Sequence, residues 1–202
     1  MRSSDPKSRG LRIVGGAHRG RRLVAPVGDA VRPTSDRARE ALFNILSHGN
    51  FAARGSPFAE RSVLDAFAGT GALGLEALSR GASMAVFIES EREALAALRR
   101  NVGALGEEDR AQIVAGDATR PPRAIFACAV AFLDPPYTSG LAAPALSALA
   151  AGGWLTADAL VVIEVAAREE LPLVPGFTLI DERVYGAARL VFLRRERAVI
   201  GD

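Results

Sequence analysis

The chain has 202 residues, 49% hydrophobic and 24% charged, a balance that fits one well-packed domain and excludes disordered and fibrous classes. No apolar run approaches the ~20 residues of a membrane helix, the polar start "MRSSDPKSRG" predicts no secretory signal, and the single cysteine, Cys128, excludes an internal disulfide. Net charge is +2, but residues 1–50 hold ten Lys+Arg against four Asp+Glu and the rest fifteen against nineteen, so a basic amino-terminal part on a mildly acidic body suggests a polyanionic partner.

In chain order, "LRIVGGAHRGRRLVAP" (Leu11–Pro26) has apolar ends around a Gly- and Arg-rich centre, the pattern of a small β-hairpin with a basic turn. "RPTSDRAREALFNILS" then sets Pro33, Ser35 and Asp36 ahead of Ala38, Leu42, Ile45 and Leu46, a helix behind its N-cap. Residues 1–50 are read as a basic extension and 51–202 as the main domain. After Arg61, strands and helices alternate. "SVLDAF", "MAVFIE", "AQIVAGD", "AVAFLD" and "ALVVIEV" are the strands, and "GALGLEALSRGA", "EREALAALRRNVGALG" and "LAAPALSALAAGG" the helices. "FTLIDERVYGAARLVFLRRE" closes the chain as a hairpin around Tyr185–Gly186. This order predicts an α/β fold, a mostly parallel doubly wound Rossmann-like sheet with an antiparallel carboxyl-terminal hairpin. Such sheets bind ligands outside the carboxyl ends of their strands. Five acids fall there: Asp65, Glu89, Asp117, Asp134 and Glu164. Cys128, inside an apolar run, is expected to be an inert core thiol in a reducing cytoplasm. Two histidines and one cysteine predict no metal site.

"DAFAGTGALG" carries Gly69-x-Gly71-x-x-Gly74 between a strand and a helix, with Glu89 ending the next strand. By spacing alone this fits a dinucleotide fingerprint, so NAD stays open. Asp65, four residues before the first glycine, should face the bound ligand and would repel a pyrophosphate. S-adenosylmethionine brings an ammonium and a sulfonium, which an acid attracts. Asp117 can accept from an adenine amino group. The acids therefore favour S-adenosylmethionine over NAD.

"DPPY" (Asp134–Tyr137) ends the fourth strand. A carboxylate and the carbonyl of Pro135, stiffened by two prolines, provide two acceptors for the N–H bonds of a base amino group. Tyr137 offers a ring on which a base can stack, worth ~1–3 kcal/mol. D-P-P-Y is the signature of methyltransferases acting on adenine N6, cytosine N4 or guanine N2, and by itself does not choose among them.

"RIVGGAHRGRRLVAP", "RPTSDRAREALFNIL", "LDAFAGTGALGLEALSRGA", "DPPY" and "RVYGAARLVFL" together resemble the bacterial 16S rRNA guanine-N2 methyltransferases of the RsmD type, from about Leu11 to Leu193. The resemblance implies a class I methyltransferase fold with an amino-terminal hairpin extension. It implies methylation of one guanine in small-subunit rRNA, within a partly assembled 30S particle, in the cytoplasm. Carried over by position, Asp134, Pro135, Pro136 and Tyr137 are catalytic, and Asp65, Phe67, Gly69, Gly71, Glu89, Ser90, Asp117 and Ala118 line the cofactor site. Arg19, Arg21, Arg22, Arg32 and Thr34 are candidate RNA contacts, and Asn44 lies in the same block. His18 is expected to be bland. Ser90 and Ala188 depart from the family's usual residues without touching the tetrapeptide. No membrane partner is expected, and a monomer is the default. The alternatives are a DNA amino-methyltransferase, for which the chain lacks room for a target-recognition domain, and an inactive RNA-binding assembly factor.

Overall fold

The computed structural model describes residues 11–26, 34–48, 51 and 55–197, with backbone alone for 34–38. Its elements are α1 (Thr34–Leu46), β1 (Ser62–Ala66), α2 (Ala72–Ser79), β2 (Met84–Glu89), α3 (Arg92–Leu105), β3 (Ala111–Ala115), β4 (Cys128–Leu133), α4 (Ala142–Ala151), β5 (Leu155–Ala166), β6 (Phe177–Tyr185) and β7 (Ala188–Arg195). The strands form one seven-stranded sheet in the order β3-β2-β1-β4-β5-β7-β6. The first five are parallel; β7 runs antiparallel to both β5 and β6. This is the mixed, doubly wound sheet that the alternation of elements predicts.

The inner strands read as continuous apolar runs because both faces of the sheet are covered. Successive side chains point to opposite faces, and the two hydrophobic clusters divide accordingly. Val63, Ala85, Phe87, Val130, Phe132, Leu160 and Val162 pack with α2 and α3 through Leu75, Leu78, Leu98 and Val102. Leu64, Val86, Ile88, Ala131, Leu133, Val161 and Ile163 pack with α4 through Ala145, Leu146 and Leu149. Each large side chain buried in this way stabilises the fold by roughly 1.5–3 kcal/mol. Cys128 is fully buried, and burial pushes its thiol up to about 12, which leaves it unreactive.

The amino-terminal segment belongs to the first cluster through Leu11, Ile13 and Leu23. Arg12 and Arg22 form an antiparallel bridge, and Ile13 N–H donates to Arg21 O (2.9 Å) and Leu23 N–H to Leu11 O (2.8 Å). The predicted hairpin is therefore present in minimal form. It lies on α2 and α3. Val14 N–H donates to the Glu76 carboxylate (2.7 Å), and Ala17 N–H to Ser79 O (2.8 Å). Val24 N–H donates to Asn101 Oδ1 (2.7 Å). The approach at Gly16 is so close that a Cβ there would lie 1.9 Å from the Ser79 carbonyl oxygen. His18 bonds Glu107 at 2.5 Å, so it fixes the turn to the residues after α3. Phe43 of α1 stacks tilted against Phe58 and Phe132, with ring centroids 5.3 and 5.6 Å away, and Arg80 sits 4.9 Å over its ring. Among the described residues no helix is long and apolar enough to cross a membrane.

Candidate active site

Winding from β1 to β2 to β3 goes one way, and β4 falls on the other side of β1. The reversal of order lies between β1 and β4, the place outside the carboxyl ends of the strands where such sheets take their ligands. The register pairs Ala66 with Leu133, so Phe67 and Asp134 leave the sheet side by side. Glu89 ends β2, Asp117 follows β3 by two residues, and Glu164 lies two residues before the end of β5. The five predicted acids thus share one edge of the sheet.

Asp65, expected from the sequence to face a bound ligand, turns instead under α2. It lies on the same face as Val63, beneath α2, and is 1% exposed. Its Oδ2 accepts from Gly74 N–H at 2.8 Å, so the carboxylate closes the amino-terminal turn of α2 where the helix dipole favours negative charge. Burial, the main cause, raises its carboxyl well above the usual range; the Gly74 bond opposes this, and the charges of Asp134 and Glu89 add to it. A group raised in the folded state favours folding below its ordinary pKa and loses that advantage as pH rises toward the folded value. Asp65→Asn should therefore melt at the same temperature as the parent, or higher, at pH 7, with the gap closing toward pH 4. Thermal denaturation across that range checks this.

The turn above Asp65 is built by its backbone. Phe67 has φ 61, Gly69 φ 54 and Gly71 φ 79, three left-handed residues in five, and strain of this kind gathers at ligand-binding turns. Gly69 N–H donates to Glu89 Oε2 (2.6 Å), and Glu89 Oε1 accepts from Ser90 and Glu91 N–H (2.8 Å each). A Cβ added to Gly69 would meet nothing within 4 Å, so this stretch of backbone borders open space. Asp117 Oδ1 accepts from the Thr119 hydroxyl (2.7 Å) and amide (2.8 Å), and these two bonds hold its carboxyl below the usual range. Ala118 beside it is buried, while Ser90 is exposed.

Across the crevice Asp134 is exposed, Pro135 buried, Pro136 exposed and Tyr137 partly buried. Among the described residues the Pro136 carbonyl takes the Ser139 amide (3.3 Å), and no backbone amide is bonded to that of Pro135. Tyr137 donates its hydroxyl to Glu164 Oε1 at 2.6 Å, which holds the ring by its far end. Thr138, with φ 56, donates its amide to Glu169 Oε2 at 2.8 Å. Neither acidic partner was assigned from the sequence. Glu164 was read only as one of the five acids at the ligand-binding edge. Glu169 lies in the patternless "AAREELPLVPG" and gave no signal.

A family model described as Conserved hypothetical protein 95 matches residues 11–194. The chain belongs to that family. Its relatives include the Ribosomal RNA small subunit methyltransferase D of Escherichia coli (strain K12), 37% identical over 193 residues, 92% of this chain and 90% of the relative. The protein of the same name from Haemophilus influenzae is 34% identical, covering 90% of this chain and 92% of the relative. A solved structure described as methyltransferase yhhF from Escherichia coli superimposes with a TM-score of 0.76 at 37% identity, over 92% of this chain and 98% of that one. The sheet and crevice are those of a class I methyltransferase.

The stretch matched by the family model includes the amino-terminal hairpin. Arg12, Arg19, Arg21 and Arg22 are all exposed on it, while Leu11, Ile13 and Leu23 point inward. The Arg21 guanidinium also donates to Ala104 O at the end of α3, so part of its role is to tie the hairpin down. Arg12 and Arg22 face each other across the bridge, and like charges directly opposite cost stability. Asn44 is exposed on α1. Arg32 and the Thr34 side chain lie outside the described residues. The buried Glu76, paired with Arg80 (2.7 Å) and with the hairpin, was not singled out from the sequence, where its one signal is an acid within an apolar helix.

Proposed function

We propose that the chain transfers a methyl group from S-adenosylmethionine to the exocyclic N2 of a guanine in small-subunit rRNA. The observation that carries this reading is the exposed Asp134 of a D-P-P-Y turn, set at the strand-order reversal beside a glycine turn ringed by acids. The crevice suits that cofactor. Glu89, Asp117 and Asp134 make it negative, which favours an ammonium and a sulfonium over a pyrophosphate. The bare backbone at Gly69 leaves room for close approach. Glu89, with three donors already bonded, keeps one acceptor site on Oε2 for a ribose hydroxyl, and Asp117, held ionised by Thr119, accepts from an adenine amino group. Phe67, Gly71, Ser90 and Ala118 complete the wall.

When bound, S-adenosylmethionine supplies an activated methyl group. The chain's own residues then have to orient the acceptor. A guanine taken out of its stack rests against the Tyr137 ring. Its N2 protons point at Asp134 and at the Pro135 carbonyl, which the two prolines hold in place. Two acceptors on one amino group keep its nitrogen in line for reaction, and such alignment alone supplies several kcal/mol of barrier lowering. The prime test is methyl transfer from labelled cofactor to immature small subunits, followed by nucleoside mapping. N2-methylguanosine in small-subunit rRNA is expected; label found only on duplex DNA would defeat the reading.

Arg19, Arg21 and Arg22, with Arg32 and Thr34, hold the RNA backbone while the base enters the crevice. The substrate is rRNA within a partly assembled 30S particle, met in the cytoplasm by a monomeric enzyme that needs no metal. Arg19→Ala combined with Arg22→Ala should weaken RNA binding and flatten its salt dependence, by ~0.7 in slope for each single-stranded phosphate that is no longer neutralised. Binding titrations at several salt concentrations measure this, and parallel slopes would remove the hairpin from the interface.

A further inference from the structure

We propose that Glu169, in the turn after β5, is a positioning residue that clamps the catalytic tetrapeptide in place, with Glu164 of β5 as its companion. This rests on the methyltransferase reading above. The two prolines fix φ at positions 135 and 136, but they do nothing for the chain that follows. There the backbone turns sharply at Thr138, where φ is 56. For a β-branched residue this is a disfavoured conformation that persists only when its surroundings impose it.

Three bonds impose it. Thr138 N–H donates to Glu169 Oε2 (2.8 Å), the Thr138 hydroxyl to Tyr137 O (2.7 Å), and the Tyr137 hydroxyl to Glu164 Oε1 (2.6 Å). Glu169 is itself anchored to the sheet. Its amide donates to Ala166 O (2.9 Å), its Oε2 also accepts from Ala166 N–H (3.3 Å), and its carbonyl accepts from the Arg189 guanidinium of β7. Both acids come from the end of β5, which pairs with β4 in parallel. They therefore relay the rigidity of the central sheet to the two residues downstream of the tetrapeptide's acceptors. Neither carboxylate needs to touch the base. Their effect is on where Asp134 and the Pro135 carbonyl stand, and a displacement of about 1 Å at such a site can cost about a hundredfold in rate.

The test compares Glu169→Ala, Glu169→Asp and Glu169→Gln in the full chain. Alanine removes the acceptor, aspartate keeps the charge but is too short to reach, and glutamine keeps the reach without the charge. Two quantities are measured: hydrogen exchange of the Thr138 amide by NMR, and the split between kcat and KM for methyl transfer to immature small subunits. Alanine and aspartate should speed Thr138 exchange by about tenfold or more, since that amide loses its acceptor. They should lower kcat by about 10- to 100-fold, with S-adenosylmethionine affinity within about twofold of the parent. Glutamine should restore most of both. Thr138 exchange unchanged in the alanine variant, or accelerated exchange with kcat intact, would overturn the clamp. A parent protein that leaves small-subunit rRNA unmethylated would instead defeat the functional reading, while the Thr138 exchange still decides whether Glu169 holds the turn.

Discussion

Asp134→Ala should still bind S-adenosylmethionine but turn over about 10²–10³ times more slowly, the size of loss seen when one preorganised hydrogen-bonding group is removed from a reacting centre. The side chain is exposed at the mouth of the crevice, and surface substitutions of this sort usually change stability by no more than about 0.5 kcal/mol. The fold and the glycine turn should therefore survive. Glu89 and Asp117, the acids assigned to the cofactor's ribose and adenine, stay in place, so cofactor affinity should stay near the parent value. Asp134→Asn retains one oxygen acceptor and should fall between the two. Single-turnover methyl transfer and calorimetric titration of the cofactor separate the effects. A kcat within threefold of the parent would remove Asp134 from catalysis, and a large loss of cofactor affinity would move it to the cofactor site.

Gly74→Ala should harm both stability and cofactor binding, although alanine is the best helix former. A Cβ at this position would lie 2.3 Å from Phe87 Cε1, 2.8 Å from Phe87 Cζ and 3.2 Å from Asp65 Cβ. The Phe87 ring is fully buried on β2 and has nowhere to retreat, so α2 must lift off the sheet. Overpacking of this kind costs roughly 1–3 kcal/mol. Lifting α2 also stretches the bond from Gly74 N–H to Asp65, and a buried carboxylate that loses a donor adds a desolvation penalty of about 1–3 kcal/mol. Because the turn over Asp65 runs straight into α2, Gly69 and Gly71 shift with it, and cofactor affinity should fall at least about tenfold, or ~1.4 kcal/mol. Denaturant midpoints and calorimetry check both halves. Gly69→Ala is the control for the stability half alone, since its Cβ would meet no atom within 4 Å and only its φ of 54 resists the change.

The strand and helix order was legible because both faces of the central strands are apolar and glycines and polar residues punctuate the alternation. The position of Asp134 at a strand end followed from the run "AVAFLD" stopping at two prolines. What the sequence could not supply was parity. Whether Asp65 looks into the crevice or under α2 depends on which sheet face Val63 occupies, and a local pattern does not say. The hairpin's basic and apolar residues were equally plain, but its seat was not. That seat is built from Glu76, Ser79, Asn101 and Glu107, which are distant in sequence and ordinary in pattern. Tyr137 was read as the tetrapeptide's ring for a base to stack on, while the acid that holds its hydroxyl comes from a strand 27 residues later.

The seating of the hairpin also bears on how the chain acquires its shape during synthesis. Val14 and His18 find their partners 62 and 89 residues downstream, so the hairpin is made well before the whole of its seat. At ~5–20 residues per second, Leu11, Ile13 and Leu23 wait on the order of 5–20 s for α3 and the residues after it. During that interval their incompletely covered apolar surface is a natural client for a chaperone.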